Sequence, residues 1–336
     1  MKNIDKISVI GAGSWGCALA RILGDNGHEV LIYDIDANAI NEINEFHTNK
    51  SKLFEGELPT NVKGTTCLEE VIRFSNNILL VVPTKVVRSV LSDINKFLDD
   101  KKLFINASKG IEPDTYKRVS EIVYEEIDKD YIEGFVALTG PSHAEEVIKQ
   151  KLTMVAAASE IEEHAYKVQR LFSNNVYFRV YRLCDLIGAE VGGSLKNVYA
   201  LGAGICEGLG FGVNARSALI TRALIEMKKL AVAMGAKEDT LDGLTGMGDL
   251  IVTCTSNLSR NYQTGVQIAL GNDLNSTLDS MPMVVEGART CISAYQIARN
   301  LNIDTPIIDS IYNVLYNRRN PKDVIRDLMS RGLKQE

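Results

Sequence analysis

Short apolar runs alternate with amphipathic stretches along the first half of the chain. Between several of the runs, apolar residues recur at helical spacing, as in residues 86–98. The apolar runs predict strands at residues 6–10, 29–33, 77–82, 103–106, 135–138, 153–158 and 176–181. Strands that are apolar throughout and alternate with helices are typical of a parallel sheet covered on both faces. The first half therefore predicts a doubly wound α/β domain.

From residue 183 onward the pattern changes to helical periods separated by Gly and Asn. Small residues are frequent in residues 185–235, among them Gly188, Gly192, Gly193, Ala200, Gly202, Ala203 and Gly204. Each Gly inside a helix costs about 1 kcal/mol relative to Ala, so this many glycines indicate helices that pack closely or lie near a ligand. We expect an α/β domain over residues 1–183 and an all-helical domain over residues 184–336.

The composition agrees with two globular domains and limits the class of partner. The 336 residues are too many for one ordinary hydrophobic core, and 45% are hydrophobic and 24% charged. With 37 Lys and Arg against 43 Asp and Glu, the net charge is -6 and the pI about 5.5. A dispersed acidic balance argues against nucleic acid or an anionic membrane as the main partner. An anionic ligand would need local positive charge.

Signals for export, membrane insertion and metal binding are missing from the sequence. The chain starts without a long apolar segment, and its most apolar stretch, residues 186–212, carries Glu190, Lys196 and Glu207. The six cysteines include no CxxC pair, and the four histidines lack metal-ligand spacing. We expect a cytoplasmic protein with reduced, mostly buried thiols, no stable membrane insertion and no metal site.

A glycine-rich motif, GAGSWG at residues 11–16, directly follows the first predicted strand and opens a helix. In such a motif Gly11 permits the tight turn, Gly13 lets the backbone approach a pyrophosphate, and Gly16 lets the helix lie against the strand. The helix N-terminus then offers N–H groups and a positive dipole end to the phosphates. The motif predicts dinucleotide binding; a purely structural turn is the alternative. Trp15 either lines the cofactor cleft or packs in the core.

Polar residues follow two later predicted strands. Lys109 comes after the strand at 103–106, and Gly140 and Ser142 come after the strand at 135–138. Because the carboxyl ends of parallel strands open onto the ligand crevice, Lys109 is placed to meet an anion there. The alternatives are a solvated lysine and a helix start with Ser142 near its cap. Because Lys109 and the segment 140–142 are both expected at the same sheet edge, we favour a ligand site there over these alternatives.

The second half contains three groups of residues that could take part in catalysis or ligand binding. Lys196 and Asn197 stand in a small, apolar sequence, and a partly buried lysine can act as a general acid or base; a lysine at a helix edge is the alternative. Asp249 could orient such a lysine or cap a helix. Residues 253–261, TCTSNLSRN, combine hydroxyl, amide and guanidinium groups, a mixture that suits a phosphate monoester. An N-capped surface helix with a solvated arginine would have a similar local sequence.

Taken in order, these motifs closely resemble the NAD(P)-dependent glycerol-3-phosphate dehydrogenases, in particular the bacterial enzymes. The matching segments are GAGSWG at 11–16, NASKGIE at 106–112, GPSHAEE at 140–146, GGSLKNVYALGAG at 192–204, LTGMGDL at 244–250, TCTSNLSRN at 253–261 and VVEGART at 284–290. The resemblance implies an N-terminal Rossmann domain, an all-helical substrate domain and a homodimer. It also implies reversible reduction of dihydroxyacetone phosphate to sn-glycerol 3-phosphate, the backbone for phospholipid synthesis.

The resemblance also implies roles for individual residues. Lys196 would be the proton donor or acceptor, with Asp249 beside it. The residues implied around the substrate are Lys109, Gly140, Ser142, Asn197, Asp249, Ser259, Arg260 and Asn261. Those implied at the cofactor are Gly11, Gly13, Ser14, Trp15, Gly16, Asp34, Lys109, Ala144, Arg260 and Glu286. Lys109 and Arg260 could offset the charge of the substrate phosphate.

The end of the second predicted strand bears on the choice between NAD and NADP. Asp34 follows this strand, and a carboxylate there can accept hydrogen bonds from both ribose hydroxyls and repel a 2′-phosphate. Relatives that accept NADP tend to carry Arg or His just beyond the strand, whereas Ile35 and Asp36 follow here. Lys50 and Lys52 are the nearest downstream cations. We therefore expect NAD as the preferred cofactor and NADP as the alternative, unless Asp34 only caps the next helix.

Two other functions fit parts of the sequence. A related two-domain dehydrogenase acting on a 3-hydroxy acid would share the nucleotide-binding half and a catalytic lysine, but it does not explain the SRN cluster. A non-catalytic dinucleotide sensor would bind cofactor without turnover. The presence together of Lys196, Asp249 and Arg260 argues against the sensor.

Overall fold

The computed structural model describes residues 4–53, 55–281, 284–333 and 335. The chain divides into two compact units. One contains the described residues up to Lys109 together with Lys117–Glu190, and the other contains Gly110–Tyr116 together with the described residues from Val191 onward. The division thus follows Glu190 inside a helix, whereas the boundary expected at residue 183 marks the end of the last strand.

Eight strands form one sheet in the first unit. They are β1 Lys6–Ile10, β2 Glu29–Tyr33, β3 Val62–Thr65, β4 Asn77–Leu80, β5 Lys102–Asn106, β6 Ile132–Thr139, β7 Thr153–Ala158 and β8 Phe178–Leu183. Their order in the sheet is β3-β2-β1-β4-β5-β6-β7-β8. Neighbouring strands are parallel except β6 and β7, which are antiparallel. The chain reverses its direction of winding at β1, which lies between β2 and β4.

Seven helices precede the last strand, and helices alone follow it in the described residues. The first group is α1 Ser14–Asp25, α2 Ala37–Phe46, α3 Leu68–Phe74, α4 Thr84–Asn95, α5 Val119–Glu126, α6 Ala144–Val147 and α7 Glu162–Phe172. The second group is α8 Leu186–Gly208, α9 Gly212–Ala233, α10 Asp249–Thr255, α11 Arg260–Ala269, α12 Leu274–Ser280, α13 Glu286–Asn300, α14 Pro306–Leu315 and α15 Pro321–Met329. Short 3₁₀ helices span Lys129–Tyr131 and Glu238–Asp242, and a π-helical turn spans Leu244–Gly248.

The predicted fold class is confirmed, because a doubly wound sheet is followed by an all-helical region. The expectation of a parallel sheet holds for β1 to β6 but not for β7 and β8, which are parallel to each other and antiparallel to the other six strands. The connection from β6 to β7, residues 140–152, contains only the four-residue helix α6, whereas a parallel crossover usually contains a full helix that returns the chain along the sheet. Strand β3, sequence VKGT, was not predicted, since it has one strongly apolar residue and a glycine.

Alternate side chains of the strands supply two separate cores, one on each face of the sheet. In β1, Ile7 and Val9 belong to the core on one face, which includes residues of α1, α2 and α7. Ile10 belongs to the core on the other face, which includes residues of α3, α4 and α5. Each face is covered by helices, so both are apolar, and this explains the unbroken apolar runs of the strands.

In the second unit, small residues allow helix backbones to approach closely, as the run of glycines predicted. A Cβ added to Gly204 of α8 would overlap the carbonyl of Tyr262 in α11. Gly192 of the same helix lies against the π-helical turn, where an added Cβ would be 2.6 Å from the Thr245 carbonyl oxygen. These contacts hold α8 close to α11 and to the π-helical turn.

Residues 110–116 belong to the second unit although they follow β5 in sequence. The Ser293 hydroxyl of α13 donates to the carbonyls of Ile111 and Glu112, at 3.3 Å each. Ser293 is fully buried and so is Ile111, at 1% exposure. The chain therefore contributes a segment to the helical unit before the sheet is complete.

We expect Gly204→Ala to lower the free energy of unfolding by about 1–3 kcal/mol or more, as overpacking against a rigid backbone does. Gly202→Ala on the same helix is the matched control. Its added Cβ would meet only flexible side-chain ends, Ile311 at 3.0 Å and Leu219 at 3.8 Å, and Ala also gains up to about 1 kcal/mol in helix propensity. Denaturant unfolding of both variants compares them, and equal stabilities would contradict close packing at Gly204.

Candidate functional site

The glycine-rich turn between β1 and α1 has the geometry of a phosphate-binding turn. Gly11 has a φ of +111°, which L side chains rarely adopt, and an added Cβ there would lie 2.6 Å from the Val81 carbonyl oxygen. A Cβ on Gly16 would overlap the Gly11 carbonyl, so Gly16 allows α1 to lie against the strand. A Cβ on Gly13 would meet no atom within 4 Å. The turn is therefore tightly packed on one side and open at Gly13, where a pyrophosphate could approach the helix N-terminus.

The side chain of Asp34, just beyond β2, is bound to this turn. Its Oδ2 accepts from the Ala12 amide at 2.7 Å, and its Oδ1 accepts from the Asp36 amide at 3.0 Å. Asp34 does not cap α2, because the N-cap is Asp36, whose carboxylate accepts from Asn38 and Ala39. The carboxylate of Asp34 thus lies next to the glycine-rich turn, at the carboxyl end of β2.

Ser14 and Trp15 form the first turn of α1 and differ in their surroundings. Ser14 is buried and its hydroxyl donates to the Lys52 carbonyl at 2.6 Å. Trp15 packs against the core on its face of the sheet, as one of the two predicted alternatives requires. Its indole Nε1 is buried and has no hydrogen-bond partner among the described residues. A buried donor of this kind costs free energy unless a ligand satisfies it, so the residue also fits the predicted cofactor contact.

Lys109, Gly140 and Ser142 meet at the carboxyl ends of β5 and β6. The Lys109 ammonium donates to the Gly140 carbonyl at 3.0 Å, and the Ser142 hydroxyl donates to the same oxygen at 2.9 Å. Ala144, two residues further on, begins α6 and is 7% exposed. The expected proximity of the two segments is therefore present, and a cation and a hydroxyl lie together at the sheet edge that binds ligands in this type of fold.

In the helical unit, Lys196 is buried and makes an ion pair with Asp249. The Lys196 Nζ lies 2.6 Å from Oδ1 of Asp249 and 2.9 Å from Oγ1 of Thr253. Lys196 of α8 is 7% exposed and Asp249, the first residue of α10, is fully buried. Asp249 thus orients the lysine, as one of the two predicted alternatives proposed, and does not act as a helix cap.

Thr253 completes this arrangement: it lies in the segment 253–261 that was considered for phosphate binding, but its contact with the lysine was not predicted. Its hydroxyl donates to the Asp249 carbonyl at 2.6 Å, one helical turn earlier, so its oxygen is left to accept from Lys196. The i, i+4 spacing to Asp249 is the signal that could have identified it. The neighbouring Cys254 is fully buried, and burial raises the pKa of its thiol to about 12, so it stays protonated at neutral pH.

A second network begins at the residue after Lys196. Asn197 Oδ1 accepts from Asn261 Nδ2 at 3.0 Å, and Asn261 Oδ1 accepts from the Gly287 amide at 2.8 Å. A Cβ on Gly287 would overlap Asn197 and would lie 2.6 Å from Asn261 Oδ1. The first turn of α13, which also contains Glu286, is therefore fixed close to α8 and α11.

Ser259 and Arg260 begin α11. Ser259 is its N-cap, and the serine hydroxyl oxygen accepts from the Tyr262 amide at 3.3 Å. The cap that was weighed as the alternative for this segment is therefore present at Ser259. Arg260 is half-buried at the first helical position, directly before Asn261. The structure thus brings Arg260 and Asn261 onto the helix that contacts Asn197.

Two further features of the described residues concern metals and membranes. They contain no group of three or more His, Cys, Asp and Glu side chains arranged to hold a metal ion. Within the same part of the chain, no helix is both long and apolar enough to cross a bilayer. The six cysteines are unbridged, and four of them are buried: Cys17, Cys206, Cys254 and Cys291.

Comparison with known proteins identifies the family for both units. Residues 6–165 match the N-terminal family of NAD-dependent glycerol-3-phosphate dehydrogenase, and residues 185–326 match its C-terminal family. The glycerol-3-phosphate dehydrogenase (NAD(P)+) of Bacillus cytotoxicus is 50% identical over 331 residues, which cover 98% of this chain and 97% of that protein. The protein of the same name from Acholeplasma laidlawii is 48% identical, with coverage of 98% and 99%.

A solved structure agrees with these sequence relationships. The crystal structure of glycerol-3-phosphate dehydrogenase from Coxiella burnetii superimposes with a TM-score of 0.92 at 31% identity, covering 98% of this chain and 99% of that one. The matches extend through both the sheet and the helices, so they include every segment that forms the site. The chain therefore belongs to the NAD-dependent glycerol-3-phosphate dehydrogenase family.

Proposed function

We propose that this chain interconverts dihydroxyacetone phosphate and sn-glycerol 3-phosphate with a nicotinamide dinucleotide, and that Lys196 is the general acid and base. The observation that carries the proposal is the buried contact of Lys196 with Asp249 and Thr253. Two acceptors fix the position of the ammonium, and a placed acid typically contributes about 10²–10⁴-fold to such a step. The names of the relatives supply the substrate and the cofactor.

The cofactor would be held by the first unit. Gly11 and Gly16 allow the tight turn against the sheet, and Gly13 leaves room for the pyrophosphate at the N-terminus of α1, with Ser14 and Trp15 in the first turn. Asp34 would accept from the adenosine ribose, and Lys109 and Ala144 lie at the carboxyl edge of the same sheet. When bound, the nicotinamide supplies a hydride to the ketone carbon or accepts one from the alcohol carbon.

The helical unit would hold a proton for the substrate oxygen. In the reductive direction, Lys196 gives its proton to the alkoxide that develops at the former ketone; in the oxidative direction the neutral amine takes the proton back. Asp249 stabilises the ammonium form of Lys196 and keeps its Nζ in place. Asn197, the residue after this lysine, accepts from Asn261, and both are proposed to contact the substrate, as are Gly140 and Ser142.

The phosphate of the substrate would be met by charge-assisted hydrogen bonds. We assign Arg260, Lys109, Ser259 and Asn261 to this role, with Arg260 and Glu286 also reaching the cofactor. A guanidinium group suits phosphate because its N–H groups can pair with two oxygens at once. Nothing in the site geometry favours a 3-hydroxy acid or a purely sensory role over this substrate.

We infer NAD rather than NADP as the preferred cofactor, because the carboxylate of Asp34 lies next to the glycine-rich turn. The homodimer and the supply of glycerol 3-phosphate for phospholipid synthesis also stay predictions that rest on the family resemblance. The cytoplasmic location stays a prediction that rests on the cysteine pattern and on the targeting signals missing from the sequence. A chain of net charge -6 would not be drawn to anionic membranes or nucleic acid.

We expect Lys196→Ala to lower kcat by about 10²–10⁴-fold while the dissociation constant for NADH stays close to that of the wild type. The interaction of Lys196 strengthens in the transition state, so turnover falls without a loss of cofactor affinity. Steady-state rates and an NADH titration on one preparation measure both. Lys228→Ala, a surface lysine of the same unit paired with Asp242, is the control. Near-normal turnover in Lys196→Ala would remove the lysine from its role.

We expect Arg260→Ala to reduce kcat/KM for dihydroxyacetone phosphate by about 10- to 150-fold, the equivalent of a hydrogen bond to a charged group. Unphosphorylated dihydroxyacetone should lose much less, because it lacks the group that the guanidinium binds. The two substrates are compared with the same enzyme preparations. If both lose the same factor, Arg260 does not bind the phosphate.

We expect the wild type to have a higher kcat/KM with NADH than with NADPH, and the double variant Asp34→Asn with Ile35→Arg to shift this ratio toward NADPH. Asn keeps an oxygen acceptor for the Ala12 amide and removes the charge, while Arg adds a partner for the 2′-phosphate. Both cofactors are compared at low ionic strength. Asp36→Asn, which changes the neighbouring helix cap, should leave the ratio unchanged. A wild-type preference for NADPH would overturn the assignment.

A further inference from the structure

Both backbone polar groups of Ala12, in the glycine-rich turn, are bound by side chains from distant parts of the sequence. The Ala12 amide donates to Asp34 Oδ2 at 2.7 Å, and the Ala12 carbonyl accepts from Asn49 Nδ2 at 2.7 Å. Ala12 is 1% exposed and Asn49 is 3% exposed. The two peptide planes that flank Ala12 are thus both fixed by buried hydrogen bonds.

The contact with Asn49 sets the direction of the next amide group. In a trans peptide, the C=O of one residue and the N–H of the next point in opposite directions. Asn49 holds the Ala12 carbonyl toward the protein interior, so the Gly13 N–H points the other way. On Gly13 an added Cβ would meet no atom within 4 Å, so the turn borders open space there. Amides of such turns are the groups that bind phosphate.

Asn49 is itself fixed in a loop that contacts the turn at a second point. The amides of Lys52 and Leu53 donate to the Asn49 carbonyl at 3.2 and 2.8 Å. The Ser14 hydroxyl then donates to the Lys52 carbonyl at 2.6 Å. The loop and the glycine-rich segment are therefore joined at two points, and the Ser51 hydroxyl donates to Asn49 Oδ1 at 3.2 Å, which fixes the orientation of the asparagine amide.

A weaker donor also faces the Ala12 carbonyl. The Cys17 thiol lies 3.4 Å from this oxygen, and Asn49 Nδ2 lies 3.5 Å from the Cys17 sulfur. Burial raises the pKa of the Cys17 thiol to about 12, so the thiol stays protonated at neutral pH. A thiol is a weak donor, so the amide of Asn49 is the main constraint on the carbonyl.

We propose that Asn49 is a positioning residue for the cofactor: its amide holds the Ala12 carbonyl so that the Gly13 N–H is presented to the dinucleotide pyrophosphate. The inference rests on the proposed function, because it requires a dinucleotide at this turn. Asn49 would act on cofactor affinity alone, since it contacts the turn and none of the groups proposed for proton transfer or substrate binding.

Two substitutions separate the amide donor from the volume of the side chain. Asn49→Ala removes the donor and should raise the NADH dissociation constant about 2- to 12-fold, the usual effect of one lost hydrogen bond. Asn49→Asp keeps nearly the same shape but turns an acceptor and a negative charge toward the Ala12 carbonyl, which repels it. It should raise the dissociation constant further, and the KM for NADH should rise in parallel in both variants.

The rest of the reaction should be unaffected. At saturating NADH, kcat should stay within about twofold of the wild type, and the KM for dihydroxyacetone phosphate should not change. Thr48→Val is the matched control, because Thr48 is the adjacent buried residue and its hydroxyl donates to Glu42 at 2.7 Å instead of to the turn. It should leave the NADH dissociation constant at the wild-type value. Thermal unfolding of each variant shows that it is folded.

The outcomes separate this inference from the proposed function. If the wild type does not bind NADH, the proposed function itself fails. If it binds NADH but Asn49→Ala and Asn49→Asp bind it equally well, the positioning role is overturned. An equal loss in Thr48→Val would assign the effect to the loop as a whole and would also overturn it. Should Asn49→Ala not fold, the nearly isosteric Asn49→Asp decides alone.

Discussion

The helical unit depends on one requirement: a lysine whose charge is buried needs a carboxylate in contact with it. An isolated buried ammonium would cost several kcal/mol, and Lys196 is 7% exposed. The compensating group is Asp249, which is remote in sequence and begins a different helix. The chain between them must therefore fold so that α10 lies within hydrogen-bonding distance of α8. Such an arrangement favours function over stability, since an apolar pair of the same volume is often at least as stable.

Close packing of backbones makes this return possible. The π-helical turn Leu244–Gly248 directly precedes Asp249, and its Thr245 carbonyl lies where a Cβ on Gly192 would be. A side chain at position 192 would push the turn away from α8, and Asp249 would move with it. π-Helical turns are often found at functional sites, and this one sets the position of the first residue of α10. Glycine at position 192 lowers the stability of the helix. It also allows the close approach that places Asp249 beside Lys196, four residues further along α8.

The sequence predicted elements best where one physical pattern dominates. Strands buried on both faces are continuously apolar, and the edge strand β8 alternates buried apolar with exposed residues. Seven of the eight strands could therefore be recognised, whereas β3, with Lys63 exposed and a glycine following, has neither pattern. The direction of β7 and β8 was missed because it depends on the connection after Gly140, which contains only a four-residue helix, and not on the composition of the strands. Residues 110–116 could not be assigned to the helical unit, since their contact with Ser293 is one hydroxyl hydrogen-bonded to two carbonyls.

The two units differ in how they can meet negative charge, and this explains how an acidic chain can be suited to anionic ligands. In the first unit the donors proposed for the pyrophosphate are backbone amides at a helix N-terminus, whose partial charges do not enter the net charge of -6. The directions of these amides are set by neutral or short-range contacts, such as the hydrogen bond from the Asn49 side chain to the Ala12 carbonyl. In the helical unit the donors are side chains, and each cation needs a local partner or a ligand. Motif searches recognise the glycines and the cations, but the residues that aim the amides contact backbone atoms, have no fixed spacing and become visible only in the folded chain.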